Sequence, residues 1–427
     1  MNTLLILIGK FLSFLSGALN LGNGSTWPGH IALSINPDFV SDILEYSKTT
    51  VIFVTGTNGK TTTAKLIETI LEKNGKTVFV NQSGANLLNG VASSLVIEAD
   101  IFGKIRKDFA VFEIDENALT KISQKIKPDY LIALNLFRDQ LDRYGEVNTI
   151  SKNWAQIYEK LKDKTKFILN ADDPRIAYLG MKPGMNVQYF GLNELSLKNE
   201  IPQNAADSTL CPKCSSKLEL NPVYYSHLGN WSCPNCNLKR PLLDIEKTNN
   251  HPLEGVYNMY NVLAAILFAK DTGISEDNIN KSLINFKPAF GRQEEIIAKD
   301  KKIKFFLAKN PTSFNESLRT INDAKAKYLL IILNDRIPDG RDVSWIWDID
   351  FEILIDSKIK IFTSGDRAYD MALRLKYSEL KSETFEDLDQ AVKVSLNNVP
   401  EGETLFILPT YSAMLETRKI LIGKKIL

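Results

Sequence analysis

The run Val51-Ile52-Phe53-Val54-Thr55-Gly56-Thr57-Asn58-Gly59-Lys60-Thr61-Thr62-Thr63 admits few folds. Four β-branched or aromatic residues read as a buried strand. A glycine-bearing turn follows, and Ala64-Lys65-Leu66-Ile67-Glu68 opens a helix. Gly56 and Gly59 let the backbone curl so that its N–H groups converge on phosphate oxygens, and the first helical turn adds the positive end of its dipole. In such a loop Gly56, Thr57, Asn58, Gly59, Lys60, Thr61 and Thr62 cradle a nucleotide. Lys60 reaches the β/γ-phosphates, and a hydroxyl at Thr61 or Thr62 holds Mg²⁺. The expected cofactors are therefore ATP and Mg²⁺. The loop is shorter than the general G-x-x-x-x-G-K-[ST] pattern.

With 427 residues the chain has length for about three structural units. A net charge of +1 gives no global field toward nucleic acid. Near the N-terminus, Leu4 to Ile8, Phe11, Leu12, Phe14, Leu15, Ala18 and Leu19 form an apolar stretch broken by Lys10. It is shorter than a membrane span of about 20 residues. It also lacks the basic start and small-residue cleavage site of a secretion signal. The expectation is a helix lying on the protein, in a cytoplasmic chain that touches the inner face of the membrane at most peripherally. Gly22–Gly29 reads as a turn-rich connection.

Strand–helix alternation starts near Lys48. Strands are predicted at Val51–Thr55, Thr77–Asn81, Phe109–Ile114, Tyr130–Leu134, Lys166–Leu169 and Val187–Phe190, with helices such as Thr61–Lys73 and Ile150–Lys160. That alternation implies an α/β fold with a mainly parallel sheet covered on both faces. Phe290–Gln293 reads as a linker to a smaller doubly wound domain. Its predicted strands are Lys304–Leu307, Tyr328–Leu333, Ile359–Thr363 and Thr404–Leu408; its helices include Phe314–Asn322, Ala368–Tyr377 and Ala413–Ile420. The expected division is residues 1–47 as N-terminal helix and connection, 48–292 as central domain with an insertion at about 205–243, and 293–427 as C-terminal domain.

All four cysteines lie in Cys211-Pro212-Lys213-Cys214 and Cys233-Pro234-Asn235-Cys236, with 18 residues between the pairs. That spacing presents four thiolates to one tetrahedral Zn²⁺ and leaves no open position, so the metal is expected to be structural. Two disulfides and a nucleic-acid-binding ribbon are the competing readings. Glu113, in Phe112-Glu113-Ile114-Asp115-Glu116, ends a buried strand at the edge where α/β sheets bind ligands, which makes it a candidate Mg²⁺ ligand. The alternative is a solvated acidic strand end. Asn135–Asp142 follows the next strand with further polar groups. Asn258 and Asn261 share a helix face suited to adenine or ribose, and Arg292 is placed to reach a nucleotide between domains. Trp345 and Trp347, at spacing two, suggest an extended piece with both indoles on one side, serving as packing or as a partner surface.

Together these residues resemble the Mur ligase superfamily, and within it the MurT-type subunits of lipid II isoglutaminyl synthases. The resemblance rests on Thr55–Thr62, Asn135–Glu146, Asn170-Ala171-Asp172-Asp173-Pro174, the Cys₄ insertion, Tyr257-Asn258 and Gly291–Glu294. It continues through Asn310–Asn315, Asp339–Glu352, Ser364–Ala368 and Thr410–Leu415. It implies ATP-dependent amidation of the D-glutamate α-carboxylate in the lipid II stem peptide, with Lys60, Mg²⁺ and Glu113 serving phosphoryl transfer. Gln140 and Tyr257 stand where the wider superfamily carries histidines. It further implies a heterodimer with a GatD-like glutaminase, because the ribbon takes every cysteine of this chain. In that family the MurT chain lends an aspartate to the partner's Cys–His pair; Asp348 is the expected residue and Asp342 the runner-up. A Mur-type ligase adding an amino acid and a non-enzymatic zinc-ribbon scaffold or nucleic-acid binder are the alternatives.

Overall fold

The computed structural model describes residues 2–18, 26–81, 85–139, 147–199 and 205–423. Gln140 and Asp142, the remainder of the Asn135–Glu146 motif, and the start of the Gly22–Gly29 connection lie outside these residues.

The first sheet is built from β1 (Thr50–Thr55), β2 (Val78–Val80), β3 (Phe109–Ile114), β4 (Tyr130–Ala133), β5 (Lys166–Asn170) and β6 (Val187–Phe190). Its order is β2-β3-β1-β4-β5-β6, with every pairing parallel. The central strands are buried on both faces, which explains their continuous apolar runs. Two apolar layers flank the sheet. One includes Phe53, Phe112 and Trp154; the other is built on Lys60–Lys73 and Val256–Asp271.

Among the described residues, helices Asn2–Ala18, Trp27–Ile35 and Phe39–Ser47 precede β1. The helix starting at Trp27 corrects the expected connection over Gly22–Gly29. Pro28 sits in its first turn, where a missing N–H costs nothing. Gly29 is there for contact: a Cβ would come 2.1 Å from the carbonyl oxygen of Asn89, and its N–H donates to Ser93 Oγ at 2.7 Å.

The second sheet comprises β9 (Arg292–Ala298), β10 (Lys301–Phe306), β11 (Tyr328–Ile332), β12 (Lys360–Ser364), β13 (Ser382–Thr384) and β14 (Thr404–Pro409), in the order β13-β12-β11-β14-β10-β9. All pairings are parallel except β9 with β10. Arg292 and Gln293, expected in a linker, open β9 and so belong to the second sheet. Between the domains' elements lies the ribbon. Its hairpin, β7 (Glu219–Tyr225) and β8 (Leu228–Ser232), is inserted after β6.

Trp345 and Trp347 are not extended. Ser344–Asp348 is a 3₁₀ turn, so the two indoles diverge. Trp345 meets Phe314 at 5.9 Å between centroids, while Trp347 meets Tyr377 at 5.4 Å. No helix among the described residues is long and apolar enough to cross a membrane.

Candidate active site

The ends of β1, β3 and β4 meet the second domain across a cleft of about 350 Å³. The phosphate loop Gly56–Lys60 forms its floor. Gly59 has φ of +92°, and a Cβ there would lie 2.1 Å from Asn261 Oδ1, so only glycine fits. The segment after β4 straps the loop from the side. Asn135 Oδ1 accepts from Asn58 N at 2.8 Å and its Nδ2 donates to Asn58 O at 3.0 Å. Phe137 N donates to Thr57 Oγ1 at 3.0 Å.

Lys60 is buried, and its ammonium donates to the carbonyl oxygens of Gly56 and Thr57 and to Glu116 Oε2 at 3.0 Å. Burial pushes the Glu116 carboxyl upward, but the Lys60 and Lys309 cations outweigh it and hold the group below its ordinary range. Lys309, from the second domain, is ion-paired with Asp139 of the strap. Burial alone would weaken the Lys309 cation; Asp139 and Glu116 keep it above its ordinary range. These charges form an alternation, Lys60–Glu116 and Lys309–Asp139, that spans both domains and is buried except at the partly exposed Lys309. Asn310, which caps the helix Pro311–Asp323, adds a reciprocal amide pair with Asn58 at 3.0 and 3.4 Å.

Glu113 is fixed at the end of β3 by Asn81, whose Oδ1 accepts from Glu113 N at 2.7 Å. Thr61 Oγ1 lies 2.8 Å from both carboxylate oxygens. Ligands at about 2.0–2.1 Å from an octahedral Mg²⁺ sit roughly 2.9 Å apart along a cis edge, so this hydroxyl–carboxylate pair fits that ion. Arg292 lines the same cleft and forms no ion pair among the described residues; its best contact is a 3.3 Å bond to the Leu307 carbonyl. A half-buried cation facing a cleft without an ion-paired carboxylate suits an anionic ligand. Asn258 and Asn261 also line it. Their amides bond each other at 3.1 Å, and Asn261 Oδ1 takes the Thr63 hydroxyl at 3.3 Å, so Asn261 serves the phosphate loop first.

In the ribbon, the cysteine pairs form tight turns, closed by Ser215 N to Cys211 O at 2.9 Å and Asn237 N to Cys233 O at 3.0 Å. All four Sγ atoms lie within 4.8 Å of one another, and none is in a disulfide. The Cys211–Cys236 and Cys214–Cys233 sulfurs are 3.6 and 3.5 Å apart. Tetrahedral Zn–S bonds of about 2.3 Å place sulfurs roughly 3.8 Å apart, so Cys211, Cys214, Cys233 and Cys236 can hold one metal ion. The ribbon is anchored beneath the cleft. Trp231 Nε1 donates to Ala171 O at 2.9 Å, Arg240 pairs with Asp172 at 2.8 Å, and buried His227 faces Asp173 at 3.4 Å. Asp173 in turn accepts from Leu136 N of the strap at 2.8 Å. Tyr225, the last residue of β7, lines the cleft itself.

Asp348 closes the 3₁₀ turn outside this cleft, 3.4 Å from Arg138 of the strap. Asp342 instead accepts from Ser344 N at 2.8 Å at the turn's start. Sequence reasoning missed Glu116 as the partner of Lys60, and it missed Lys309 altogether. Neither has a local motif; the only hint was the acidic run that ends β3.

Two family models match the chain: the Mur ligase middle domain over residues 54–269 and the MurT ligase C-terminal domain over residues 307–414. The chain is 33% identical to the Streptococcus pneumoniae lipid II isoglutaminyl synthase (glutamine-hydrolyzing) subunit MurT, covering 99% of this chain and 98% of that protein. It belongs to the MurT family of Mur ligases. The Staphylococcus aureus subunit of the same description is 32% identical, over 84% of each chain. Among solved structures, a pseudomurein peptide ligase type C from Methanothermus fervidus superposes with a TM-score of 0.66 at 24% identity, covering 90% of this chain and 81% of that one. MurF from Acinetobacter baumannii gives 0.64 at 19%, covering 90% and 78%. At those identities the likeness is one of fold, and it places the cleft between the middle and C-terminal domains within a Mur-ligase architecture.

Proposed function

We propose that this chain is the synthase subunit of a lipid II isoglutaminyl synthase. It activates the α-carboxylate of D-glutamate in the lipid II stem peptide with ATP and passes it to ammonia as the amide. The observation that carries this reading is the complete phosphate-loop cleft in a chain matching a MurT subunit end to end.

The loop N–H groups of Gly56–Thr62 and the Lys60 ammonium would hold the β/γ-phosphates, with Asn258 and Arg292 toward the nucleoside and its phosphates. Thr61 and Glu113 would hold Mg²⁺, which supplies charge neutralisation on the transferring phosphoryl group. A carboxylate oxygen of the substrate attacks the γ-phosphorus, ADP leaves, and an acyl phosphate results. Ammonia then adds to the carbonyl carbon, loses a proton and expels phosphate. The chain's part is positioning and electrostatics, with Lys60 fixed by Glu116 so that no reorganisation is needed as charge moves.

Ammonia would come from a separate glutaminase, because this chain's four cysteines are all in the ribbon. Asp348 would complete that partner's Cys–His pair. The proposed setting is the cytoplasmic face of the membrane. There the exposed stripe Leu4, Leu7, Phe11 and Phe14 on the first helix would rest at the headgroup level beside the lipid-linked substrate.

The test supplies purified chain, ATP and stem-peptide substrate in anionic vesicles, with either ammonium or amino acids. Phosphate release driven by ammonium, with the chain co-sedimenting with the vesicles, is expected. The D-glutamate ligase of Thermoanaerobacter, 26% identical over 85% of this chain, represents the competing reading. Release driven by an amino acid and not by ammonium would favour it.

We assign the four thiolates to one structural Zn²⁺, with no nucleic acid bound. Metal analysis should give one zinc per chain. Chelation should lower the melting temperature and weaken ATP binding by at least about tenfold, since His227, Trp231 and Tyr225 connect the ribbon to the nucleotide floor. Unchanged ATP affinity after full zinc removal would refute that connection.

A further inference from the structure

We infer that Arg138 is a positioning residue for Asp348, holding its carboxylate in the one orientation the partner's imidazole can use. The inference rests on the assignment of Asp348 made above. The backbone around Asp348 is already fixed from its own domain. Asn315 Nδ2 donates to Asp350 Oδ2 at 2.9 Å and to Asp348 O at 3.5 Å, while Asp350 N donates to Asn315 Oδ1 at 2.9 Å. The side chain is held from the other domain: Arg138 Nη2 lies 3.4 Å from Asp348 Oδ2, and Oδ1 has no partner among the described residues.

Arg138 is itself clamped at two points. Its backbone N–H donates to Asp207 Oδ2 at 2.9 Å and its Nε pairs with Oδ1 of the same carboxylate. Asp207 is buried to 6% side-chain exposure at the root of the ribbon, and its N–H donates to His227 Nδ1 at 3.3 Å. A guanidinium anchored this way through Nε has less rotamer freedom left to lose, and its Nη2 edge is aimed at one oxygen of Asp348. A carboxylate has lone pairs enough for both a guanidinium and an imidazole N–H. One oxygen can therefore stay with Arg138 while the other meets the partner. An unheld aspartate would sample several rotamers, and a triad acid acts by orientation.

The experiment uses the full chain in complex with its glutaminase subunit. Arg138→Met should lower kcat for glutamine-dependent amidation at least tenfold with KM for glutamine unchanged, leaving turnover at saturating ammonium within twofold. Arg138→Lys should recover a substantial part of the loss, which a mere packing role would not predict. Glutamine-dependent kcat within twofold of wild type in Arg138→Met, or an equal loss with ammonium, would overturn the inference. Asp348→Asn is assayed alongside. If it too keeps glutamine-dependent turnover, the assignment of Asp348 fails; if it alone loses it, only the role of Arg138 fails.

Discussion

Lys60→Ala is expected to abolish amidation from glutamine and from ammonium alike, by at least about 10³-fold, while glutamine hydrolysis by the assembled pair persists. The magnitude follows from removing one preorganised charge at a transferring phosphoryl group, which typically costs 10²–10³ or more. Stability will fall as well, since Lys60 and Glu116 are both buried and Glu116 would lose its ion-pair partner, keeping only the nearby charge of Lys309. Breaking such a pair costs about 3–5 kcal/mol. The two effects separate in Lys60→Ala/Glu116→Gln, where the remaining partner carries no charge. Its melting temperature should return most of the way to wild type with no return of activity. Recovery of amidation in the double variant would mean that Lys60 acts only as the counter-ion of Glu116. Isothermal titration with ATP provides the matching binding readout.

Legibility in the sequence followed the physics of each element. Strands buried on both faces were plain: Phe109–Ile114 has the bounds the apolar pattern indicates, and β1 and β5 each extend theirs by one residue. The edges of the second sheet were not. β9 reads Arg-Gln-Glu-Glu-Ile-Ile-Ala and pairs antiparallel at the sheet's margin, where one side faces water and charge is tolerated. β13 is a three-residue polar edge with no periodicity to find. The helix Trp27–Ile35 was hidden by Pro28 and Gly29, both of which look like turn residues until the neighbouring helix is in place.

Within the site, the phosphate loop, the cysteine turns and Glu113 were legible because each is a local pattern. Lys60–Glu116, Asn58–Asn310 and Lys309–Asp139 join residues 56, 252 and 170 positions apart, and no periodicity encodes such contacts. The Trp345–Trp347 spacing misled for a related reason. A period of two describes a strand, but Gly340 and the Asp342–Ser344 bond start a 3₁₀ turn that sends the indoles apart.

That same turn bears on which aspartate would serve the proposed partner. Asp342 has its carboxylate committed to Ser344, whose backbone and side chain hold it below its ordinary range. Asp348 stands at the far end of the turn, with 40% of its side chain exposed and one oxygen free among the described residues. Asp348→Asn keeps the size and the backbone bonds to Asn315 but replaces an acceptor-only group with one that also donates. In the complex, glutamine hydrolysis should drop by about 10³–10⁴, the scale seen when a triad acid can no longer set the imidazole tautomer. Ammonium-dependent amidation should stay within twofold, because the phosphate-loop cleft lies on other residues. Asp342→Asn should change glutamine hydrolysis no more than about threefold. A reversed ranking of the two variants would move the assignment to Asp342, and equal loss of the ammonium reaction in Asp348→Asn would place Asp348 in the domain junction instead of the partner's triad.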